Sequence, residues 1–192
     1  MGSGPLTKVT AKLASEVCAR FHLGAEAQPL LKSTHTPAQF LDVLVEKQQY
    51  LDAVKLLAHG LPKREAVWWA CGCVKAAPEA SAAPGAAAAL KTTERWVADP
   101  TEENRQAAMP AAEAAPVGTP AGCVALAAFF SGGSLGPPNV PAIPPAETLT
   151  GDAVAGAVMM AVVVKEPEKA PDKYRAFVSR GIEIANGKNL WK

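Results

Sequence analysis

Prolines and glycines interrupt this chain so often that long helices are ruled out, and what lies between them is poorly suited to strands. Seventeen prolines and fifteen glycines punctuate 192 residues. An interior proline removes a helix hydrogen bond and clashes with the turn before it, and glycine is the usual helix stop. Alanine makes up about a fifth of the chain; it is the best helix former and a poor strand residue. The pattern predicts an all-α fold, one compact bundle of about eight or nine short helices.

Start and stop signals place the helices. Apolar residues Leu6, Val9, Leu13, Val17 and Phe21, three or four apart, predict a first helix over 6–22. Thr36-Pro37 and Thr119-Pro120 are N-cap and first-turn pairs, and Gly60 closes a helix from Tyr50 to His59. Further helices are expected over 61–77, 86–98, 101–115, 121–130, 150–164 and from about 168 to 185, with 79–85 as a connection. Pro110 should split the 101–115 helix or bend it. Residues 1–5 read as a flexible start, 6–187 as the single domain and 188–192 as a tail.

Residues 131–147, with three glycines and then five prolines, are the longest irregular stretch. A segment of that length inside a compact domain needs a role. Its PxxP spacings could dock a polyproline reader, but without a flanking cation a strap laid across helix grooves is the expected arrangement. The strings Ala66-Val67-x-x-Ala70, Cys123-Val124-x-x-Ala127 and Ala153-Val154-x-x-Ala157 echo one another at irregular intervals. They predict three inner helices packed at short distance on small residues.

Several functions are disfavoured. Nineteen basic and eighteen acidic residues give a net charge of +1, no footprint for nucleic acid or an anionic membrane. The longest apolar run, Ala153 to Val164, spans 12 residues, whereas a bilayer helix needs about 20. With no secretory start in the first residues, reduced cysteines in the cytoplasm are expected. Cys71 and Cys73 point to different sides of a helix and cannot share a metal. Nothing beyond closeness in sequence pairs Cys71 with His59 as nucleophile and base, and Ser131-Gly132-Gly133-Ser134 lacks the lysine and spacing of a phosphate loop. No catalytic residue, metal or cofactor is expected.

The segment Leu61 to Val74 is the strongest candidate for binding. It carries Trp68 and Trp69 side by side after Lys63, Arg64 and Glu65. Tryptophan buries the most apolar area and is enriched at binding hot spots. Two adjacent helical rings cannot both face one core. One reading buries Trp69 and lays Trp68 at the edge under Arg64; the other makes Trp68 and Trp69 anchors of a partner-binding patch oriented by Lys63 and Arg64.

Four strings in order, Leu61-Pro62-Lys63-Arg64-Glu65-Ala66-Val67-Trp68-Trp69-Ala70, Pro100-Thr101-Glu102-Glu103-Asn104-Arg105, Phe129-Phe130-Ser131-Gly132-Gly133-Ser134-Leu135 and Thr150-Gly151-Asp152-Ala153-Val154-Ala155, are similar to an uncharacterised family of bacterial helical proteins, a domain of unknown function found beside type VI secretion components. The resemblance covers roughly residues 35 to 186. It implies an accessory role and supplies no catalytic residues. The expected function is therefore a non-catalytic interaction module, an adaptor or chaperone for secreted cargo, whose partner is a secretion component or effector. One rival is an immunity protein that neutralises a toxin. Another is an enzyme with a site built from distant residues, which a polar pocket holding a titratable pair with shifted pKa would revive.

Overall fold

The computed structural model describes residues 2–116, 118–136 and 140–188. The described residues are all-helical, with no strand. The helices are α1 (Ala14–Cys18), α2 (Pro37–Glu46), α3 (Tyr50–Gly60), α4 (Lys63–Lys75), α5 (Pro78–Ser81), α6 (Ala86–Ala98), α7 (Glu102–Ala114), α8 (Pro120–Phe129), α9 (Leu149–Val163) and α10 (Ala170–Ala185). Short 3-10 turns at Gln28–Leu30 and Pro167–Lys169 complete the set.

The start signals act as their chemistry requires. Thr36 Oγ1 accepts from the Gln39 amide while Gln39 Oε1 accepts from the Thr36 amide, a reciprocal cap that satisfies two otherwise orphaned donors. Thr101 and Thr119 cap α7 and α8 through the amides of Asn104 and Gly122.

Helices α4, α8 and α9 pack against one another at the centre. Ala66, Ala70, Ala127, Ala157 and Ala161 are all buried there. Side chains this small bring helix axes close together. The three echoing strings are thus the three inner helices. On one side α10 closes over α3 and α4. Gly181 permits that approach, because a Cβ there would lie 2.8 Å from Leu57 Cδ1 and 3.0 Å from Trp69 Cε2.

Four expectations are corrected. The helix over 6–22 is reduced to α1, and residues 2–13 form an irregular segment laid over the bundle. Leu6 sits at φ 46° with its amide donating to Asn186 Oδ1 at 3.0 Å, and Lys8 N–H reaches Ala185 O at 2.8 Å. These bonds take the donors a helix would have used. Residues 2–5 of the supposed flexible start are not loose: Ser3 is 4% exposed, its amide and hydroxyl donate to Asp42 Oδ1, and its carbonyl accepts from Asn186 Nδ2. The connection at 79–85 begins within the short α5, and α7 runs through Pro110 as one helix where a split into two pieces was one of the two outcomes expected. Pro110 is exposed, so water can satisfy the carbonyl that its missing N–H leaves. Of the expected tail, residues 189–192 lie outside the described residues.

The Gly/Pro stretch is a loop pinned at its base. Buried Arg105 donates to Phe129 O and, at 2.9 Å, to Ser134 O, and forks onto Glu102 with two bonds of 2.7 Å. Ser134 Oγ accepts from the amides of Gly136 and Ile143, and Leu135 N–H reaches Ile143 O at 2.8 Å. Val140 to Pro144 are exposed, so this part is not laid into helix grooves as expected. Pro137 and Pro138, part of the PxxP pattern, fall outside the described residues.

Candidate functional site

The four residues expected to grip a partner have separate tasks. Trp69 is 0% exposed, and its indole Nε1 donates to Phe177 O at 2.8 Å. It is core, and its place in a surface patch is corrected. A buried indole needs an acceptor for its N–H, and the carbonyl from α10 supplies one. Trp68 is half-buried at the edge of that core, beside a shallow depression shared with Gly72, Lys75, Glu94 and Arg180. Arg64 donates through Nε to Val97 O at 2.6 Å and through Nη2 to Ala98 O at 3.0 Å, neutralising the carbonyl end of α6. Lys63 reaches Glu147 at 3.2 Å.

The cysteines are free, and Cys71 and Cys73 are fully buried, where burial pushes both thiols far above their usual range. Such thiols are inert. No group of three or more potential metal ligands occurs among the described residues.

A polar cavity of about 320 Å³ opens where α3 ends and α9 begins. Lys8, Arg20, His59, Lys63, Glu147 and Thr150 are among its lining side chains. Five stretches of chain create it. Gly60 and Leu61-Pro62 turn the chain from α3 into α4, which leaves His59 at the α3 terminus and Lys63 at the start of α4. The irregular N-terminal segment brings Lys8, and the chain after α1 brings Arg20. The end of the Gly/Pro loop brings Glu147, and α9 contributes Thr150 and Gly151 in its first turn.

His59 divides this cavity from a second one lined by Phe21, His22, Lys55 and Asp152. Its ring stacks on Phe21 with centroids 5.3 Å apart. Nε2 lies 3.3 Å from Asp152 Oδ1, a charge contact without hydrogen-bond alignment. Burial lowers the His59 pKa; the Asp152 charge works against it, while Arg20 and Lys55 add to it. Gly151 is obligatory for this packing, since a Cβ there would meet His59 Nδ1 at 2.3 Å. Arg20 Nη1 donates to the His59 carbonyl at 2.8 Å, capping the α3 terminus.

Half-exposed Asp152 and His59, whose pKa is lowered by burial, form a titratable pair beside the cavity, and the buried cysteines do not line it. Sequence reasoning placed His59 at a helix end and missed the cavity. Its contributors are dispersed from Lys8 to Gly151, and no local spacing records that meeting.

Among the described residues these features define an all-α bundle with a polar cavity at the start of α9 and an exposed apolar loop. A model of a family of unknown function, DUF6931, matches residues 40–185, and the chain belongs to that family. The match spans α2 through α10 apart from the first turn of α2, and leaves residues 1–39, with Lys8 and Arg20, outside it. No curated protein and no solved structure matches the chain.

Proposed function

We propose that this protein is a non-catalytic interaction module that presents its Gly/Pro loop to a protein partner. The observation that carries this is the loop's apolar surface: Leu135, Val140 and Ile143 are 37%, 43% and 55% exposed. They supply three of the seven exposed large hydrophobics among the described residues, on a single segment. Loops held by a rigid scaffold are favoured places for binding, and clustered exposed apolar side chains mark interaction surfaces. The buried Arg105 provides the scaffold. Prolines beside Val140 and Ile143 limit the conformations lost on docking. Trp68 adds a half-buried aromatic edge elsewhere on the surface.

In its finer form the reading is an adaptor or chaperone for type VI secretion cargo, acting in the cytoplasm on a secretion component or effector. Its support is the resemblance of the four sequence strings. The test is affinity capture of the tagged protein from its native cells, read by mass spectrometry. Ile143→Asp should abolish enrichment of the partner while the melting temperature stays within a few degrees, since surface substitutions usually change stability by less than about 0.5 kcal/mol. Trp68→Ala should weaken capture less. Recovery of the protein alone, or unchanged capture by Ile143→Asp, ends the loop-mediated reading.

A further inference from the structure

The cavity at the start of α9 has donors without acceptors. The amides of Thr150 and Gly151 have no hydrogen-bond acceptor among the described residues, whereas the flanking amides of Leu149 and Asp152 bond to Ala146 O and Thr148 O. Thr148, at the N-cap, makes no side-chain cap. Thr150 is 1% exposed, lines the cavity, and its Oγ1 is buried without a partner. An unpaired buried hydroxyl costs on the order of 1–3 kcal/mol, which a ligand oxygen would recover. This is a helix start with two open N–H groups and a third donor beside them, on a helix of 15 residues whose dipole favours negative charge.

Cations surround those donors. Lys8, Arg20 and Lys63 line the same cavity, against one lining carboxylate, Glu147. Arg20 uses Nη1 on the His59 carbonyl and keeps further N–H groups available. Lys63 is held by Glu147, whose side chain is 78% exposed, and Lys8 by Glu65 at 3.3 Å. The Lys63 pair has an exposed acid and contributes only about 0–1 kcal/mol, so an incoming anion can displace Glu147 from Lys63 at little cost, whereas the Glu65 side chain that holds Lys8 is largely buried.

We propose that this cavity binds a phosphate group, through the Thr150 and Gly151 amides, the Thr150 hydroxyl and the cations Lys8, Arg20 and Lys63. Donors converge from α9, from α4 and from the N-terminal segment. A tetrahedral oxyanion offers acceptors in all these directions, whereas a planar carboxylate offers two oxygens in one plane. The cavity volume, about 320 Å³, is at the small end of ligand pockets. It has room for the phosphate and a small attached group. This site is separate from the loop surface and does not depend on it.

The test is a titration of the whole chain with inorganic phosphate, glycerol phosphate and acetate at constant ionic strength, followed by amide chemical shifts and melting temperature. Phosphate should move the Thr150 and Gly151 amides in a saturable way and raise the melting temperature. Thr150→Val, which keeps the shape and removes the donor, and Lys63→Ala should each weaken binding about 10-fold, as expected for one lost charge-assisted or buried donor. Tighter binding of glycerol phosphate assigns the site to a phosphomonoester, and equal binding assigns it to free phosphate. Unmoved amides with both phosphates, equal binding of acetate, or an unchanged affinity in Thr150→Val overturns the proposal. Circular dichroism of each variant confirms that it is folded, and the amide shifts read the site independently of global stability.

Discussion

The inner helices and the N-terminal segment are both well anchored, by opposite means. The buried apolar residues of the packed helices α4, α8 and α9 are mostly alanines and valines, and Trp69 fills the space beneath α10. Residues 2–13 are fastened mainly by hydrogen bonds: Ser3 to Asp42, Leu6 to Asn186, Lys8 to Ala185. Apolar packing leaves a periodic trace in sequence because a regular helix must repeat its buried face. A polar clasp leaves none, because its partners are set by tertiary contact.

The contrast can be broken at several points. The largest loss should come from Trp69→Ala, which empties a fully buried site and removes the indole bond to the Phe177 carbonyl. About 3–5 kcal/mol is expected, read by chemical denaturation; a cost below 1 kcal/mol would show that Trp69 does not hold α4 to α10. Arg105→Met should cost about 2–3 kcal/mol, since the Phe129 and Ser134 carbonyls lose a charged donor. Faster hydrogen exchange at Leu135 and Ile143 should accompany it, and protection equal to wild type would mean that the loop base stands without the arginine.

Asn186→Ala should cost about 1–2 kcal/mol, with loss of amide protection confined to the N-terminal segment and the end of α10. If protection falls throughout the bundle, the segment is not a separate unit. The smallest effect should be the response to acid. Hydrogen bonds from Arg105 pull the Glu102 carboxyl from its ordinary 4.5 to about 2. A depressed carboxyl pKa stabilises the fold above the unfolded value, and that contribution is lost as pH falls from about 4.5 to 2. Glu102→Gln should flatten this part of a stability–pH curve, and a curve identical to wild type would mean the pair contributes nothing in solution.

The same contrast explains what could be read from the sequence. Thr36-Pro37 and Thr119-Pro120 marked helix starts because the capping chemistry is local. The alanine echoes marked the three inner helices because close packing demands small residues at helical spacing. The series Leu6, Val9, Leu13, Val17 and Phe21 misled: Leu6 and Val17 are buried, but Leu13 is 38% exposed, and the backbone between them is irregular. Apolar spacing alone cannot distinguish a helix from a segment that buries side chains at intervals. The two tryptophans had to diverge, and they do; which one was core depended on Gly181 and the Phe177 carbonyl, more than 100 residues away. The phosphate cavity was illegible for the same reason, as its donors come from four separate stretches.

Asn186 joins the Leu6 amide across a separation of 180 residues. Bonds this distant in sequence lose more chain entropy on closure than the local helix contacts, and folding is governed by when such contacts can be made. The clasp is therefore expected to engage late, onto helices already packed. Lys8 is delivered to the cavity by that same step, so the molecule reaches a nearly complete helical body before its phosphate-binding site exists.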